Sequence, residues 1–224
     1  MTLHTRVKIC GITSLQDAET AVNHGADAIG LVFYPNSPRY LPVDRAAAIA
    51  NTVGPFVSVV ALFVNATVNE VKRVIERVPL HYLQFHGEES ADTCEQFALP
   101  YLKAVKVPRP DGNSEAAISA AQQQVIRAAQ AHPRAKAILL DTLHPQQHGG
   151  TGQQFDWRCV PESESFRWIL AGGLKPDNVA DAIAQVRPYA VDVSSGVESG
   201  PGVKDGDKVK TFIQNAKCKS YERN

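Results

Sequence analysis

Short apolar runs rich in β-branched residues alternate with helical patterns along the whole chain of 224 residues. Eight runs are predicted to be strands, and several are almost continuously apolar, as is typical of parallel strands covered on both faces. They occupy residues 7–12, 28–33, 57–64, 82–86, 101–107, 137–141, 168–171 and 190–194. Eight strand–helix units in a chain of this length predict an α/β protein with a single (β/α)8 (TIM) barrel.

Helical patterns separate these runs, at residues 14–24, 43–53, 69–78, 90–98, 114–131, 176–186 and 205–216. Ser14 is the predicted N-cap of the first helix. The sixth helix has the weakest pattern, because residues 155–166 have little periodicity. A doubly wound open sheet is the competing architecture, but it usually carries Gly-x-Gly-x-x-Gly after the first strand, where this chain has CGIT at 10–13. Without a linker or low-complexity tract, we expect one domain over residues 1–217 and a C-terminal tail over 218–224.

The charge balance and the cysteine pattern of the chain argue against several classes of function. The chain has 23 basic and 23 acidic residues, and this balance argues against nucleic-acid partners and against an anionic membrane surface. No apolar run approaches the roughly 18 residues that span a bilayer, and the first six residues carry no apolar signal core. The four cysteines are scattered without a Cys-x-x-Cys pair, which argues against disulfides and structural zinc. We therefore expect free thiols and a cytoplasmic location.

Two glycine clusters follow the predicted seventh and eighth strands, AGG at 171–173 and SSG at 194–196. Glycine lets the backbone approach a ligand closely, and adjacent strand ends of this kind form a cradle of N–H groups. In (β/α)8 barrels, phosphate frequently binds after strands seven and eight. The backbone amides of Gly172, Gly173, Ser195 and Gly196 are therefore predicted to bind the phosphate of a small phosphorylated molecule.

Two candidate catalytic side chains stand at strand ends, where barrel enzymes carry their chemistry. Cys10 ends the first strand; it is either a small buried hydrophobe or a thiolate base whose pKa is lowered by a positive environment. Asp141 follows four apolar residues and is either a cap or a proton donor. Burial favours the neutral form of a carboxyl group, so the proton-donor interpretation is preferred.

Other polar residues at strand ends are candidates for binding. Arg39 is either a solvated loop cation or a bidentate partner for a substrate carboxylate. Gln84 and His86 are predicted to line the same pocket, with a backbone carbonyl as the alternative partner of the imidazole. The role of Asp192 stays open between structure and pocket contact.

Two histidines lie in the loop after the sixth strand. His144 and His148, with Asp141, loosely resemble a metal-binding set. No further ligand has suitable spacing, so no metal site is predicted.

The strand-end motifs occur together and in one order over nearly the whole chain. They are VKICGIT (7–13), GLVF (30–33), SPRY (37–40), QFHG (84–87), LDT (140–142), GGTG (149–152), AGGL (171–174), DVSSGVE (192–198) and PGVKD (201–205). This set closely resembles the phosphoribosylanthranilate isomerase family, which are barrel enzymes of tryptophan biosynthesis. Phe85 stands where the family more often has leucine, and Gly200 where serine is more usual.

The resemblance implies an Amadori rearrangement of N-(5′-phosphoribosyl)anthranilate to 1-(2-carboxyphenylamino)-1-deoxyribulose 5-phosphate. It implies that Asp141 is the general acid that opens the furanose ring and Cys10 the general base at C2′. Arg39 is then placed to receive the anthranilate carboxylate, and the loop at 149–152 to fold over the substrate. No cofactor is required because no hydride or redox step occurs. A monomer or weak homodimer is expected.

Two rival functions remain. The first is another phosphosugar isomerase or epimerase barrel; such epimerases resemble a pattern of paired aspartates and histidine metal ligands, whereas this chain has a cysteine on strand one. The second is a noncatalytic barrel that binds a phosphoribosyl ligand. That barrel would keep the glycine cradle without needing an acid and a base, and both candidates are present here.

Overall fold

Eight parallel strands form a closed barrel in the structure, a computed structural model that describes residues 2–3, 5–142, 155–218 and 221–222. Each strand pairs with the next one along the chain, and the first pairs with the last, through Lys8 opposite Asp192. The strands are β1 (Arg6–Cys10), β2 (Ala28–Val32), β3 (Ser58–Phe63), β4 (Tyr82–Phe85), β5 (Tyr101–Val107), β6 (Ala137–Thr142), β7 (Trp168–Leu170) and β8 (Ala190–Val193). The predicted (β/α)8 barrel is confirmed, and closure of the ring excludes the open sheet.

Seven α-helices cover the barrel in the described part of the chain: α1 (Leu15–Asn23), α2 (Val43–Ala50), α3 (Val68–Ile75), α4 (Ala91–Cys94), α5 (Glu115–Gln130), α6 (Val179–Val186) and α7 (Gly206–Lys217). The Ser14 hydroxyl accepts a hydrogen bond from the Asp17 amide at 3.0 Å, which confirms the predicted cap. The sixth unit is different from the prediction. Its described residues contain a 3₁₀ turn, Trp157–Cys159, instead of an α-helix. The weak periodicity of this segment and Pro161, which has no N–H to donate, explain the difference.

Alternating residues of the strands divide the core into two layers. Outward-facing residues pack against the helices, while a smaller cluster fills the barrel: Val60, Leu102, Ala104, Ala137, Leu139, Ile169, Ala171 and Ala190. On β6, Ala137 and Leu139 belong to the inner cluster, and Ile138 and Leu140 to the outer one. Because side chains of a strand alternate between faces, Asp141 continues the inward row at its carboxyl end. This register positions polar residues at one mouth of the barrel.

Several predicted boundaries shift by one or two residues. Strand β1 ends at Cys10 because Gly11 adopts φ +74°, a left-handed conformation that leaves the extended backbone. Phe85, at the family's usual leucine position, is buried; its ring is tilted against Phe63 and stacked on Phe97.

Helix α7 ends at Lys217. Beyond it, the two-residue strand Tyr221–Glu222 pairs antiparallel with Thr2–Leu3. None of the helices in the described ranges has the length and apolar content that a membrane crossing needs.

Candidate active site

A cavity of about 580 Å³ lies at the carboxyl ends of the strands. All nine side chains and glycines predicted for the site line it: Cys10, Arg39, Gln84, His86, Asp141, Gly172, Gly173, Ser195 and Gly196. The predicted closing loop at 149–152 and the two histidines His144 and His148 lie outside the described residues. Within the described ranges, no group of three or more His, Cys, Asp or Glu side chains is arranged to hold a metal ion.

A hydrogen-bonded chain of three side chains ends on Asp141. The carboxylate oxygen Oδ2 lies 3.0 Å from His86 Nε2, and Oδ1 accepts from the Thr142 amide at 2.8 Å. His86 Nδ1 lies 3.1 Å from Gln84 Nε2. His86 therefore contacts the candidate acid directly, which the sequence alone did not predict, and Gln84 contacts His86.

A buried ion pair fixes the loop that carries His86. Lys103, on β5, donates from Nζ to the Gly87 carbonyl at 2.6 Å and to Glu89 Oε2 at 3.2 Å. Glu89 in turn accepts from the Gly87 amide at 2.9 Å. Sequence reasoning missed this pair. The available signal was a lysine inside the otherwise apolar run 101–107.

The candidate base, Cys10, is buried beside a second ion pair. Lys8 Nζ lies 2.9 Å from Asp192 Oδ1, and both side chains are almost fully buried. Burial raises the pKa of the Cys10 thiol above its ordinary value, and the positive charges of Lys8 and Lys204 only partly offset this increase. Desolvation of the thiolate outweighs both cations, so the lowered pKa that the thiolate alternative requires is not found here.

Lys8 was not predicted as a site residue. Because side chains alternate along a strand, Lys8 lies on the same face of β1 as Cys10, which follows it by two residues. Burial lowers the pKa of Lys8, but its interactions with Asp192 and Cys10 outweigh this effect and hold the pKa above its ordinary value. Lys8 is thus charged beside the thiol. Asp192, whose role the sequence left open, pairs with Lys8 and also lines the cavity.

Arg39 is held by a carboxylate of the chain itself. Its Nε and Nη2 each donate to Glu198 at 2.7 Å, and Lys204 Nζ donates to the same carboxylate at 2.8 Å. Burial raises the pKa of Glu198, but Arg39 and Lys204 outweigh it and leave the pKa below its usual value. The bidentate contact and 12% side-chain exposure exclude a solvated loop cation. Sequence reasoning missed Glu198 and Lys204, although both lie within quoted motifs.

The glycines of the cradle are packed against neighbouring backbone and side chains. Gly172 and Gly173 have φ of +72° and +67°. A Cβ at Gly172 would overlap Thr142 Oγ1 and stand 2.9 Å from Asp141 Oδ1. A Cβ at Gly196 would overlap the Leu174 carbonyl. Both clusters therefore require glycine, and the first lies directly beside the candidate acid.

Replacing Gly172 by alanine is expected to weaken both folding and phosphate binding. The left-handed conformation costs alanine about 1–2 kcal/mol, and the overlap with Thr142 adds about 1–3 kcal/mol. Gly25→Ala is the matched control, because Gly25 has φ +92° and its added Cβ would meet nothing within 4 Å. Urea unfolding and titration with inorganic phosphate measure the two effects. Equal loss of stability in both variants would contradict the packing argument.

Comparison with known proteins assigns the chain to a family. A family model described as N-(5′-phosphoribosyl)anthranilate (PRA) isomerase matches residues 7–215. The chain belongs to this family. A Pseudomonas fluorescens protein named N-(5′-phosphoribosyl)anthranilate isomerase is 53% identical over 209 residues, which are 93% of this chain and 94% of that protein.

Solved structures of phosphoribosylanthranilate isomerases share the fold. The Thermotoga maritima enzyme aligns with a TM-score of 0.82 and 42% identity, covering 96% of this chain and 99% of that one. Another structure of that enzyme is described as monomers of a dimeric protein. A phosphoribosylanthranilate isomerase in complex with reduced 1-(o-carboxyphenylamino)-1-deoxyribulose 5-phosphate aligns with a TM-score of 0.79 and 41% identity, with the same coverage of both chains. The family resemblance inferred from the strand-end motifs is thus confirmed.

Proposed function

We propose that this chain is an intramolecular oxidoreductase, an isomerase that converts N-(5′-phosphoribosyl)anthranilate to 1-(2-carboxyphenylamino)-1-deoxyribulose 5-phosphate in tryptophan biosynthesis. The observation that carries the proposal is the cavity itself. One strand-end mouth contains a thiol, a carboxyl group, an arginine and two glycine clusters. These are the groups that a base, an acid, a carboxylate site and a phosphate site require.

The reaction begins at the sugar ring. Asp141, as general acid, protonates the furanose oxygen, and the ring opens to a Schiff base. Cys10, as general base, then removes the proton from C2′, and the resulting enolamine tautomerises to the ketone. The reaction needs an acid and a base on different sides of the sugar. Asp141 lies on β6 and Cys10 on β1, and strands β7 and β8 lie between these two strands in the barrel. The rearrangement moves protons only, so the residues named here need no cofactor.

The two anionic ends of the substrate are assigned to different parts of the cavity. The backbone amides of Gly172, Gly173, Ser195 and Gly196 bind the phosphate. Arg39 binds the anthranilate carboxylate through the N–H groups that remain on the guanidinium after Glu198 has taken Nε and one Nη2 donor. Glu198 then acts by orienting Arg39. Gln84 and His86 line the same cavity.

Arg39→Ala is expected to raise KM by about 10- to 100-fold with a smaller change in kcat, because it removes charge-assisted hydrogen bonds to one end of the substrate. Glu198→Gln is the matched comparison; it keeps the guanidinium but loosens its orientation, so its KM rises less. Steady-state kinetics of both variants provide the measurement. An unchanged KM in Arg39→Ala would contradict the assignment.

Turnover of freshly prepared phosphoribosylanthranilate in the presence of EDTA tests the function, with the loss of anthranilate fluorescence as the signal. Fast loss with the wild type and none above background with Asp141→Asn supports the isomerase and its acid. Binding without turnover would instead support the noncatalytic phosphoribosyl-binding barrel. Activity that EDTA leaves unchanged would disfavour a metal-dependent phosphosugar epimerase, and no binding of this compound at all would point to another phosphosugar as substrate.

We further propose that the enzyme works in the cytoplasm as a monomer or weak homodimer, without nucleic-acid or membrane partners. The balanced charge of the chain supports this proposal. Residues 1–217 form one domain and 218–224 its tail. Sedimentation equilibrium over a range of concentrations measures the association, and a dimer that persists at nanomolar concentration would contradict it.

A further inference from the structure

The side chain of Lys204 is completely buried beside the candidate active site. It is 0% exposed, compared with 12% for Arg39, and Lys204 is not among the described residues that line the cavity. The acid, the base and the substrate sites proposed above do not use it. Because a buried ammonium group is costly unless it is paired and hydrogen-bonded, the partners of Lys204 indicate its role.

Three acceptors surround the Lys204 ammonium group. Nζ lies 2.8 Å from Glu198 Oε1, 3.2 Å from the Ser194 carbonyl oxygen and 3.5 Å from Ser194 Oγ. Lys204 and Glu198 face each other across the antiparallel hairpin at 198–204. Burial lowers the pKa of Lys204, and Glu198 offsets part of this decrease. Three acceptors match the three hydrogens of the protonated form.

The first partner, Glu198, belongs to the proposed carboxylate site. Glu198 Oε1 accepts from Lys204 as well as from Arg39 Nε, and Oε2 accepts from Arg39 Nη2. Any rotation of the carboxylate plane would therefore lengthen a charge-assisted hydrogen bond to Lys204. By holding this plane, Lys204 also holds the direction of the guanidinium group.

The second partner, Ser194, directly precedes the proposed phosphate cradle. Its carbonyl group and the N–H of Ser195 belong to one planar trans peptide, in which the two groups point in opposite directions. Lys204 donates to this carbonyl at 3.2 Å, and the Val197 amide donates to it at 3.3 Å. A cation that holds the carbonyl on one side therefore aims the Ser195 N–H to the other side.

The two sites meet at Gly11, which has φ +74°. A Cβ on this residue would overlap Arg39 Cδ and stand 2.9 Å from Ser194 Oγ. Arg39 and Ser194 both line the cavity, and both connect to Lys204, one through Glu198 and the other directly.

We propose that Lys204 is a positioning residue shared by the sites for the two anionic ends of the substrate. Through Glu198 it orients Arg39 towards the anthranilate carboxylate. Through the Ser194 carbonyl it orients the Ser195 amide towards the phosphate. Lys204 itself touches neither end. This inference rests on the proposed function, in which these two sites bind the substrate.

Titration calorimetry with inorganic phosphate and with anthranilate as separate probes tests this shared role. Lys204→Met is expected to weaken both probes by about 5- to 20-fold, because each site loses the group that orients its hydrogen bonds. Arg39→Ala is expected to weaken anthranilate far more than phosphate.

Lys208→Met is the matched control for this titration. Lys208 lies four residues further along the chain and donates to the Glu198 backbone carbonyl at 2.8 Å, but its side chain is 48% exposed. Its loss should leave both affinities within about 2-fold of the wild type, since solvent screens an exposed charge. If Lys204→Met weakens only one probe or neither, the inference is wrong. If neither probe binds the wild type, the proposed substrate sites fail, and the inference fails with them.

Steady-state kinetics separate positioning from a general loss of structure. Lys204→Met should raise KM by about 10-fold while kcat stays within about 3-fold, because binding groups are misdirected and the acid and base are kept. Partial unfolding would instead lower kcat and leave KM unchanged. Lys204→Gln is the second variant, polar but too short to reach all three acceptors, and the same increase in KM is expected. A decrease in kcat with unchanged KM in both variants would overturn the inference.

Discussion

Asp141→Asn is expected to lower kcat by about 10²- to 10⁴-fold, the range that a positioned general acid contributes. Asparagine keeps the size of the side chain, and its oxygen still accepts from the Thr142 amide, which the acid bonds at 2.8 Å. What it loses is the acidic proton that the furanose oxygen must receive. The fluorescence assay under saturating substrate measures the effect.

Binding of a ligand that resembles the product is the control for this substitution. Reduced 1-(o-carboxyphenylamino)-1-deoxyribulose 5-phosphate, which is bound in the complex of a family member, should keep its affinity for the variant. Loss of kcat with retained affinity separates proton transfer from folding and from substrate contact. A kcat within 10-fold of the wild type would mean that another group supplies the proton.

Cys10→Ser is expected to cause a loss of similar size in kcat, about 10²- to 10⁴-fold, because a hydroxyl group loses its proton far less readily than a thiol. Cys94→Ser is the matched control: Cys94 is also buried but lies on α4 and does not line the cavity, so its kcat should stay unchanged. Equal loss in both variants would point to packing instead of base catalysis.

The assignment of Cys10 as the base also predicts how kcat/KM depends on pH, and the direction of that dependence follows from the structure. A general base must be deprotonated, so kcat/KM, which reports the free enzyme, increases as pH rises through the pKa of Cys10. Because burial raises that pKa, the midpoint should lie above the ordinary range of a thiol. Lys8→Met removes a charge that lowers the pKa and should move the midpoint further up. A midpoint at or below that range in the wild type would contradict the raised pKa.

Local patterns in the sequence were sufficient to predict the barrel and the place of its site. An inward row that runs from Ala137 through Leu139 to Asp141 depends only on the alternation of side chains along one strand. The glycine clusters after β7 and β8 follow from where each strand stops. For that reason all nine predicted residues line one cavity. The predicted sixth helix is absent from residues 155–166, where the helical periodicity of the sequence is weak.

Local sequence patterns could not predict which side chains contact these residues, because those contacts form only when the ring of strands closes. Lys8 meets Asp192 across 184 positions, because β1 and β8 become neighbours only when the barrel closes. His86 reaches Asp141 across 55 positions. Asp192 raises the pKa of Lys8, since charge and hydrogen bonding act over a few ångströms in space regardless of distance along the chain.

By itself, the sequence determined the fold class and predicted the end of the barrel at which the candidate acid, base and phosphate-cradle residues line one cavity, because strand period and strand ends are local properties of the chain. The tertiary structure alone decided that desolvation outweighs two lysines at Cys10, that Glu198 takes one edge of Arg39, and that Gly172 is packed against Asp141. These three outcomes depend on burial and on distances between strands, which exist only after the eight strands have closed.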